Sequence, residues 1–126
     1  MAERWAGWVT LTDAALGIGF SVWMAASLRL LPLFGAAAAL AVLLSARTRV
    51  AGLAACLLFH GMHIVSYYSG TTAIAFKAGF SIGHAVHLPR ATVIVNLAAL
   101  AFSILIAWLL LRRRLPVPAS ADYSAD

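Results

Sequence analysis

Charge is scarce in this sequence. Charged residues make up 10% of its 126 residues, and only four of them are acidic. Hydrophobic residues make up 63%, a proportion that we do not expect a soluble domain of this size to carry without aggregating. The composition therefore predicts a membrane protein and argues against a soluble enzyme or binding domain.

Cysteine is almost missing, and the usual catalytic motifs are missing too. Cys56 is the single cysteine. Because the chain has no second cysteine, Cys56 cannot form an intrachain disulfide. It lies in an apolar stretch, and we interpret it as a small core residue. The sequence has no nucleophile elbow, no glycine-rich phosphate loop, no paired carboxylates and no cysteine pair. These absences argue against hydrolytic and thiol-redox catalysis, and we expect the protein not to be an enzyme.

Four apolar stretches are what the sequence does contain, at about 8–28, 30–46, 50–68 and 91–111. A transmembrane helix needs roughly 20 such residues. The stretches predict an all-α membrane protein, a four-transmembrane-helix bundle that forms one domain over residues 1–114. Residues 115–126 contain two prolines and small polar residues, which predicts a disordered cytoplasmic tail.

The basic residues predict how such a bundle would be oriented. Six of them would lie on one side of the membrane and three on the other, so the positive-inside rule places both termini in the cytoplasm.

Anchoring of the spans accounts for the net charge of +5, and we expect no binding to nucleic acid. The abundance of alanine and arginine favours a bacterial protein, hence one in the cytoplasmic (inner) membrane. We interpret the first 30 residues as a retained span and not as a signal peptide. The six basic residues on the cytoplasmic side would be Arg4, Arg47, Arg49, Arg112, Arg113 and Arg114, and the three on the outer side would be Arg29, Lys77 and Arg90.

Residues 69–90 are predicted to form an outward-facing loop. Residues 71–88 are apolar enough to suggest a fifth span, but Lys77, His84 and His87 would then lie in lipid at a cost of several kcal/mol. We therefore expect an amphipathic loop or short surface helix that lies on, or dips into, the outer leaflet.

All four histidines, His60, His63, His84 and His87, fall between positions 60 and 87. His60 and His63 are three residues apart and would share a helix face. Three interpretations stay open for the histidines: hydrogen bonding between helices, a transition-metal or haem site, and a proton-relay pocket.

Asn96 and Asp13 are the other polar residues predicted within the membrane. Asn96 would lie at a depth similar to that of His63. Asp13, about one turn from the cytoplasmic end of its span, is expected to reach water or to pair with Arg47 or Arg49.

The function predicted from these features is a non-enzymatic accessory or assembly subunit of a larger membrane complex. Its partners would be the lipid bilayer and other membrane protein subunits. The alternatives are a metal-, haem- or proton-handling membrane protein that uses the four histidines, and a small dimeric transporter.

Overall fold

The computed structural model of the protein describes residues 1–23, 30–75 and 81–114. Within these ranges the chain forms a mixed α/β fold of four helices and a four-stranded antiparallel sheet. The predicted all-α four-transmembrane-helix bundle is therefore wrong. The elements in chain order are α1 (Ala2–Trp23), α2 (Leu30–Leu44), α3 (Arg49–Met62), β1 (Val65–Ser69), β2 (Ala73–Ile74), β3 (Gly83–Leu88), β4 (Ala91–Asn96) and α4 (Leu97–Arg114).

The prediction fails at the third and fourth apolar stretches. The stretch 50–68 is helical only as far as Met62, and its last residues form strand β1. The stretch 91–111 begins with strand β4, and helix α4 starts only at Leu97. β-branched side chains explain the second break, since Thr92, Val93, Ile94 and Val95 follow one another and favour extended backbone.

None of the helices in the described ranges is both long enough and apolar enough to cross a membrane. Helices α2 and α3 have 15 and 14 residues, fewer than the roughly 20 that a span requires. This finding overturns the predictions that depended on four spans: placement in the bacterial cytoplasmic membrane, contact with the bilayer, and assembly with membrane subunits.

The predicted outward-facing loop contains strands. Residues 83–88 form β3 and residues 73–74 form β2, where an amphipathic loop or short surface helix was expected. Residues 76–80, with Lys77, lie outside the described residues, and so does the predicted disordered tail, residues 115–126.

The sheet has the strand order β2-β1-β4-β3. Strands β3 and β4 form a hairpin in which Leu88 pairs with Ala91 across the two-residue turn Pro89–Arg90. Strand β4 also pairs along its length with β1, from Val65 opposite Val95 to Ser69 opposite Ala91. Strand β4 thus lies in the interior of the sheet, and β3 and the two-residue β2 form its edges.

Glycines allow the helices to approach closely. A Cβ added at Gly35 would lie 2.5 Å from the Phe59 ring, and one added at Gly52 would lie 2.8 Å from a Val42 methyl and the Val42 backbone nitrogen. Helices α2 and α3 therefore contact each other through surfaces that a larger residue would separate. The core cluster around this contact comprises Ala6, Ala38, Val42, Leu53, Cys56, Ile106 and Leu109.

The helices are apolar on their outer surfaces as well. Trp5, Trp8, Ile104 and Trp108 are all more than two-fifths exposed. The apolar composition of the chain is thus shared between its interior and its surface, and not confined to a core.

Candidate functional site

His60 lies at the centre of a row of three polar side chains that joins helix α1 to helix α3. Its Nε2 is 3.0 Å from the hydroxyl oxygen of Thr10 on α1. Its Nδ1 is 3.9 Å from the nearer Asp13 carboxylate oxygen, one turn further along α1. Thr10 and Asp13 are three residues apart, so they share the face of α1 that is directed at α3.

Burial controls the charge of this imidazole. His60 is 1% exposed and Thr10 is 0% exposed. The loss of hydration, together with the neighbouring His63, lowers the pKa of His60 to about 4. The Asp13 carboxylate is too distant for a hydrogen bond and does not reverse this effect. His60 is therefore neutral at neutral pH.

The Thr10 hydroxyl has a single proton and two acceptors within reach. It lies 2.9 Å from the carbonyl oxygen of Ala6, one turn back along α1, and 3.0 Å from His60 Nε2. When it donates to Ala6, His60 must donate to it from Nε2. The Cys56 thiol also contacts this hydroxyl, and burial raises the pKa of that thiol. The expectation that Cys56 is a small core residue is confirmed by its burial.

His63 follows His60 by three residues, as the sequence suggested, but it does not join the row. Its Nδ1 lies 2.6 Å from the carbonyl oxygen of Phe59 and donates to it. Its Nε2 is buried without a hydrogen-bond partner among the described residues. The Phe59 ring packs edge-on against both imidazoles, with centroid distances of 5.1 Å to His60 and 4.6 Å to His63.

His84 and His87 lie elsewhere, on the exposed strand β3. Because they are three residues apart on a strand, their side chains point to opposite faces of the sheet. His87 Nδ1 is 3.2 Å from the Thr92 hydroxyl oxygen. The four histidines are therefore split between a buried helix and an exposed strand.

This separation corrects the predicted histidine function. The described residues contain no group of three or more histidine, cysteine or acidic side chains that could hold a metal ion. A metal-, haem- or proton-handling function that uses His60, His63, His84 and His87 as one cluster is therefore wrong for this fold.

Asn96 caps helix α4. Its side-chain oxygen accepts a hydrogen bond from the backbone N–H of Ala99 at 3.3 Å, which is the pattern of an N-cap residue. Its backbone N–H donates to the Ile64 carbonyl oxygen at 2.7 Å. Asn96 thus lies where β4 changes into α4, beside the chain that follows His63.

Arg49 has a different acidic partner from the one predicted. Its guanidinium lies 3.8 Å from the Glu3 carboxylate, and Arg113 also bonds to that carboxylate. These charges hold the pKa of Glu3 below its usual value, chiefly through the hydrogen bond from Arg113. The structure places the Asp13 carboxylate 3.9 Å from Nδ1 of His60, an approach that the sequence did not predict.

Among the residues that the structure describes, strand β3 pairs with β4 along one backbone edge and has no strand along the other, which is called its free edge below. The Leu97 N–H donates to the Ile82 carbonyl oxygen at 2.8 Å, so the backbone polar groups of Ile82 are directed at the neighbouring strand. Along an antiparallel strand, the backbone N–H and C=O groups of successive residues point alternately towards the paired strand and away from it. The residues whose N–H and C=O groups face β4 are therefore His84, Val86 and Leu88, and those whose groups face away from it are Gly83, Ala85 and His87.

An open cleft of about 340 Å³ lies at the end of the sheet near the β3–β4 turn. Tyr68 and Thr92 are directly opposite each other in β1 and β4 and line the cleft together with Ser69, Leu88 and Arg90. Its lining includes one cation, Arg90, and no carboxylate.

No known protein family, no curated protein and no solved structure matches this chain.

The sequence analysis did not identify Thr10, the free edge of β3 or the cleft beside the β3–β4 turn. The pairing of Thr10 with His60 joins positions 50 residues apart, and no local pattern predicts such a contact. The hairpin did leave a signal, because two six-residue runs flank Pro89–Arg90 and a two-residue connection is typical of β-hairpins.

Proposed function

We propose that this protein is a non-enzymatic, self-associating protein in which strand β3 pairs with β3 of a second copy. The observation that carries the proposal is the free edge of β3. All six residues of the strand are exposed, and among the described strands it has a neighbour on one side only. Unpaired N–H and C=O groups along such an edge are a template for another strand.

The backbone favours one antiparallel register. Two copies related by a twofold axis at Ala85 would place Ala85 opposite its own copy and Gly83 opposite His87 of the second copy. All three outward-facing residues of each strand would then form hydrogen-bonded pairs, about six N–H···O bonds in total. Moving the twofold axis by one residue, to Val86, would place Gly83 opposite Pro89 of the second copy, which has no N–H to donate to the outward carbonyl oxygen of Gly83.

The side chains favour a second copy as the partner in this register. Ile82 would lie opposite Leu88 of the other copy, and both residues are more than half exposed in the single chain. Cross-strand apolar pairs of this kind stabilise a sheet by roughly 0.2–1 kcal/mol each. Opposite His87, Gly83 provides room for the imidazole ring. Strand β3 has no Lys, Arg, Asp or Glu, so the pairing brings no like charges together at neutral pH.

The absence of catalysis is part of the same proposal. Asp13, His60 and Thr10 follow the order carboxylate, imidazole and hydroxyl that activates a nucleophile in many hydrolases. Here the hydroxyl and the imidazole are buried to 1% exposure or less, so a substrate cannot reach them. We assign the row a structural role, that of joining α1 to α3.

Sedimentation equilibrium of the wild type and two proline variants tests the proposal. Ala85→Pro removes an N–H that faces the free edge and leaves the ladder to β4 intact. Ala73→Pro is the matched control, because Ala73 pairs with Tyr68 at the opposite edge of the sheet and its N–H also faces outward.

The expected result is a concentration-dependent dimer for the wild type and for Ala73→Pro, and a monomer for Ala85→Pro with unchanged circular dichroism. A wild-type protein that stays monomeric throughout the micromolar range contradicts the proposal. An equal loss of dimer in both proline variants contradicts it as well.

A further inference from the structure

The cleft beside the β3–β4 turn has the chemistry of an anion site. We infer that it binds a small organic oxyanion, a carboxylate or a phosphate monoester, through Arg90 and Thr92. This inference does not depend on the self-association of β3.

Arg90 is the charged group of the site. It is the second residue of the two-residue turn between β3 and β4, so a short hairpin fixes its backbone at the rim of the cleft. The carboxylates among the described residues are those of Glu3 and Asp13. Glu3 is bonded to Arg113 and Asp13 lies beside His60, so neither neutralises Arg90. A guanidinium of this kind binds a carboxylate or phosphate with two parallel hydrogen bonds.

Thr92 supplies a second donor. Its hydroxyl oxygen lies 3.2 Å from His87 Nδ1. When that nitrogen carries the proton, it donates to the threonine oxygen, and the threonine proton is then available to an anion in the cleft. The side chains of His87, Thr92 and Tyr68 lie in one row across β3, β4 and β1, on the same face of the sheet.

The remaining walls indicate the size and nature of the ligand body. Tyr68 and Leu88 provide apolar surface beside the donors, while the Ser69 hydroxyl is occupied by the backbone of Thr72 at 3.1 Å and 3.3 Å. A volume of about 340 Å³ is at the lower end of the range for small-molecule sites. A single ring or short chain with one oxyanion matches this volume.

Isothermal titration with three probes tests the inference: phenyl phosphate, benzoate and inorganic phosphate. Phenyl phosphate or benzoate is expected to bind saturably. Tighter binding of phenyl phosphate would identify the ligand as a phosphate monoester, and tighter binding of benzoate would identify it as a carboxylate. Inorganic phosphate, which lacks the ring, is expected to bind more weakly. Binding of inorganic phosphate as tight as that of phenyl phosphate would contradict the assignment of an organic ligand.

Variants then locate the site. Arg90→Gln is expected to weaken binding by at least about tenfold, the effect of losing a charge-assisted hydrogen bond, and Thr92→Val by a smaller factor. Arg47→Gln is the matched control, since Arg47 is an exposed arginine in the α2–α3 turn and is absent from the cleft lining. It should leave binding within about twofold of the wild type, because distant screened charges contribute little. No saturable binding of any probe, or equal weakening by Arg47→Gln and Arg90→Gln, overturns the inference.

Discussion

The hydroxyl oxygen of Thr10 lies 3.0 Å from Nε2 of His60, at a point where neither residue is accessible to water. This contact joins helix α1 to helix α3. A buried polar group without its partner costs about 1–3 kcal/mol, so the His60 imidazole depends on Thr10, whose hydroxyl also bonds to the Ala6 carbonyl oxygen.

Thr10→Val should therefore destabilise the fold by roughly 1–3 kcal/mol, because it leaves a buried imidazole nitrogen without a partner. Thr12→Val is the control, since the Thr12 hydroxyl donates to the Trp8 carbonyl oxygen at the exposed surface of the same helix. Urea denaturation measures both changes. A double-mutant cycle of Thr10→Val with His60→Phe should give a coupling energy above about 0.5 kcal/mol. Additive effects would show that the contact contributes nothing of its own.

Acid should destabilise the protein through His60. The folded-state pKa is lowered from 6.5 to about 4, so between these values the unfolded chain binds a proton that the folded chain does not. The stability that this residue contributes is complete above about pH 6.5 and declines as the pH falls towards 4. The whole effect corresponds to roughly 3 kcal/mol, at about 1.4 kcal/mol per pKa unit.

Urea denaturation of the wild type and of His60→Gln at a series of pH values between 7.5 and 4 checks this prediction. The glutamine variant retains a polar side chain without titrating, so its stability should change less over the interval. Parallel curves for the two proteins would assign the acid sensitivity to other groups.

Gly35→Ala should destabilise the contact between α2 and α3 by about 1–3 kcal/mol, the usual cost of overpacking. The added Cβ would lie 2.5 Å from the Phe59 ring, and one of the two helices must move. Gly61→Ala is the matched control, because Gly61 lies in α3 with no atom within 4 Å of an added Cβ. It should be neutral or stabilise the helix by up to about 1 kcal/mol. Thermal unfolding compares the two variants, and equal effects would contradict the close approach at Gly35.

Asn96→Ala should cost about 1 kcal/mol, the usual value for an N-cap, and Asn96→Asp should retain most of the stability. Both are measured by chemical denaturation. If Asn96→Asp is as destabilising as Asn96→Ala, the bond to Ala99 does not act as a cap.

The sequence anticipated the helices better than the sheet, for a physical reason. Helices α1 and α2 are rich in residues with high helix propensity, as in the run 36–44, and local preference was sufficient there. The residues of β1 and β4 are equally apolar, and apolar composition does not separate a buried strand from part of a transmembrane helix. The consecutive β-branched residues 92–95 and the turn at Pro89–Arg90 were the local signals for the hairpin.

The candidate sites were less predictable. His60 and Asp13 were recognised as unusual polar residues, but their partners come from distant parts of the chain. The spacing of the histidines suggested one cluster, and the strand at 83–88 separates two of them from the others. The free edge of β3 results from strand order, which no local pattern contains.

Disulfide trapping at Ala85 tests the proposed pairing most directly. With the twofold axis at this residue, the two Cα atoms would be about 5.5 Å apart, within the range that a disulfide spans. Two Val86 residues would be diagonal neighbours at about 7–8 Å, beyond that range. In a Cys56→Ala background, Ala85→Cys is predicted to form a covalent dimer under mild oxidation in much higher yield than Val86→Cys, and the background alone should form none. Equal yields at the two positions, or no cross-link at Ala85, would contradict the pairing of β3 with its own copy.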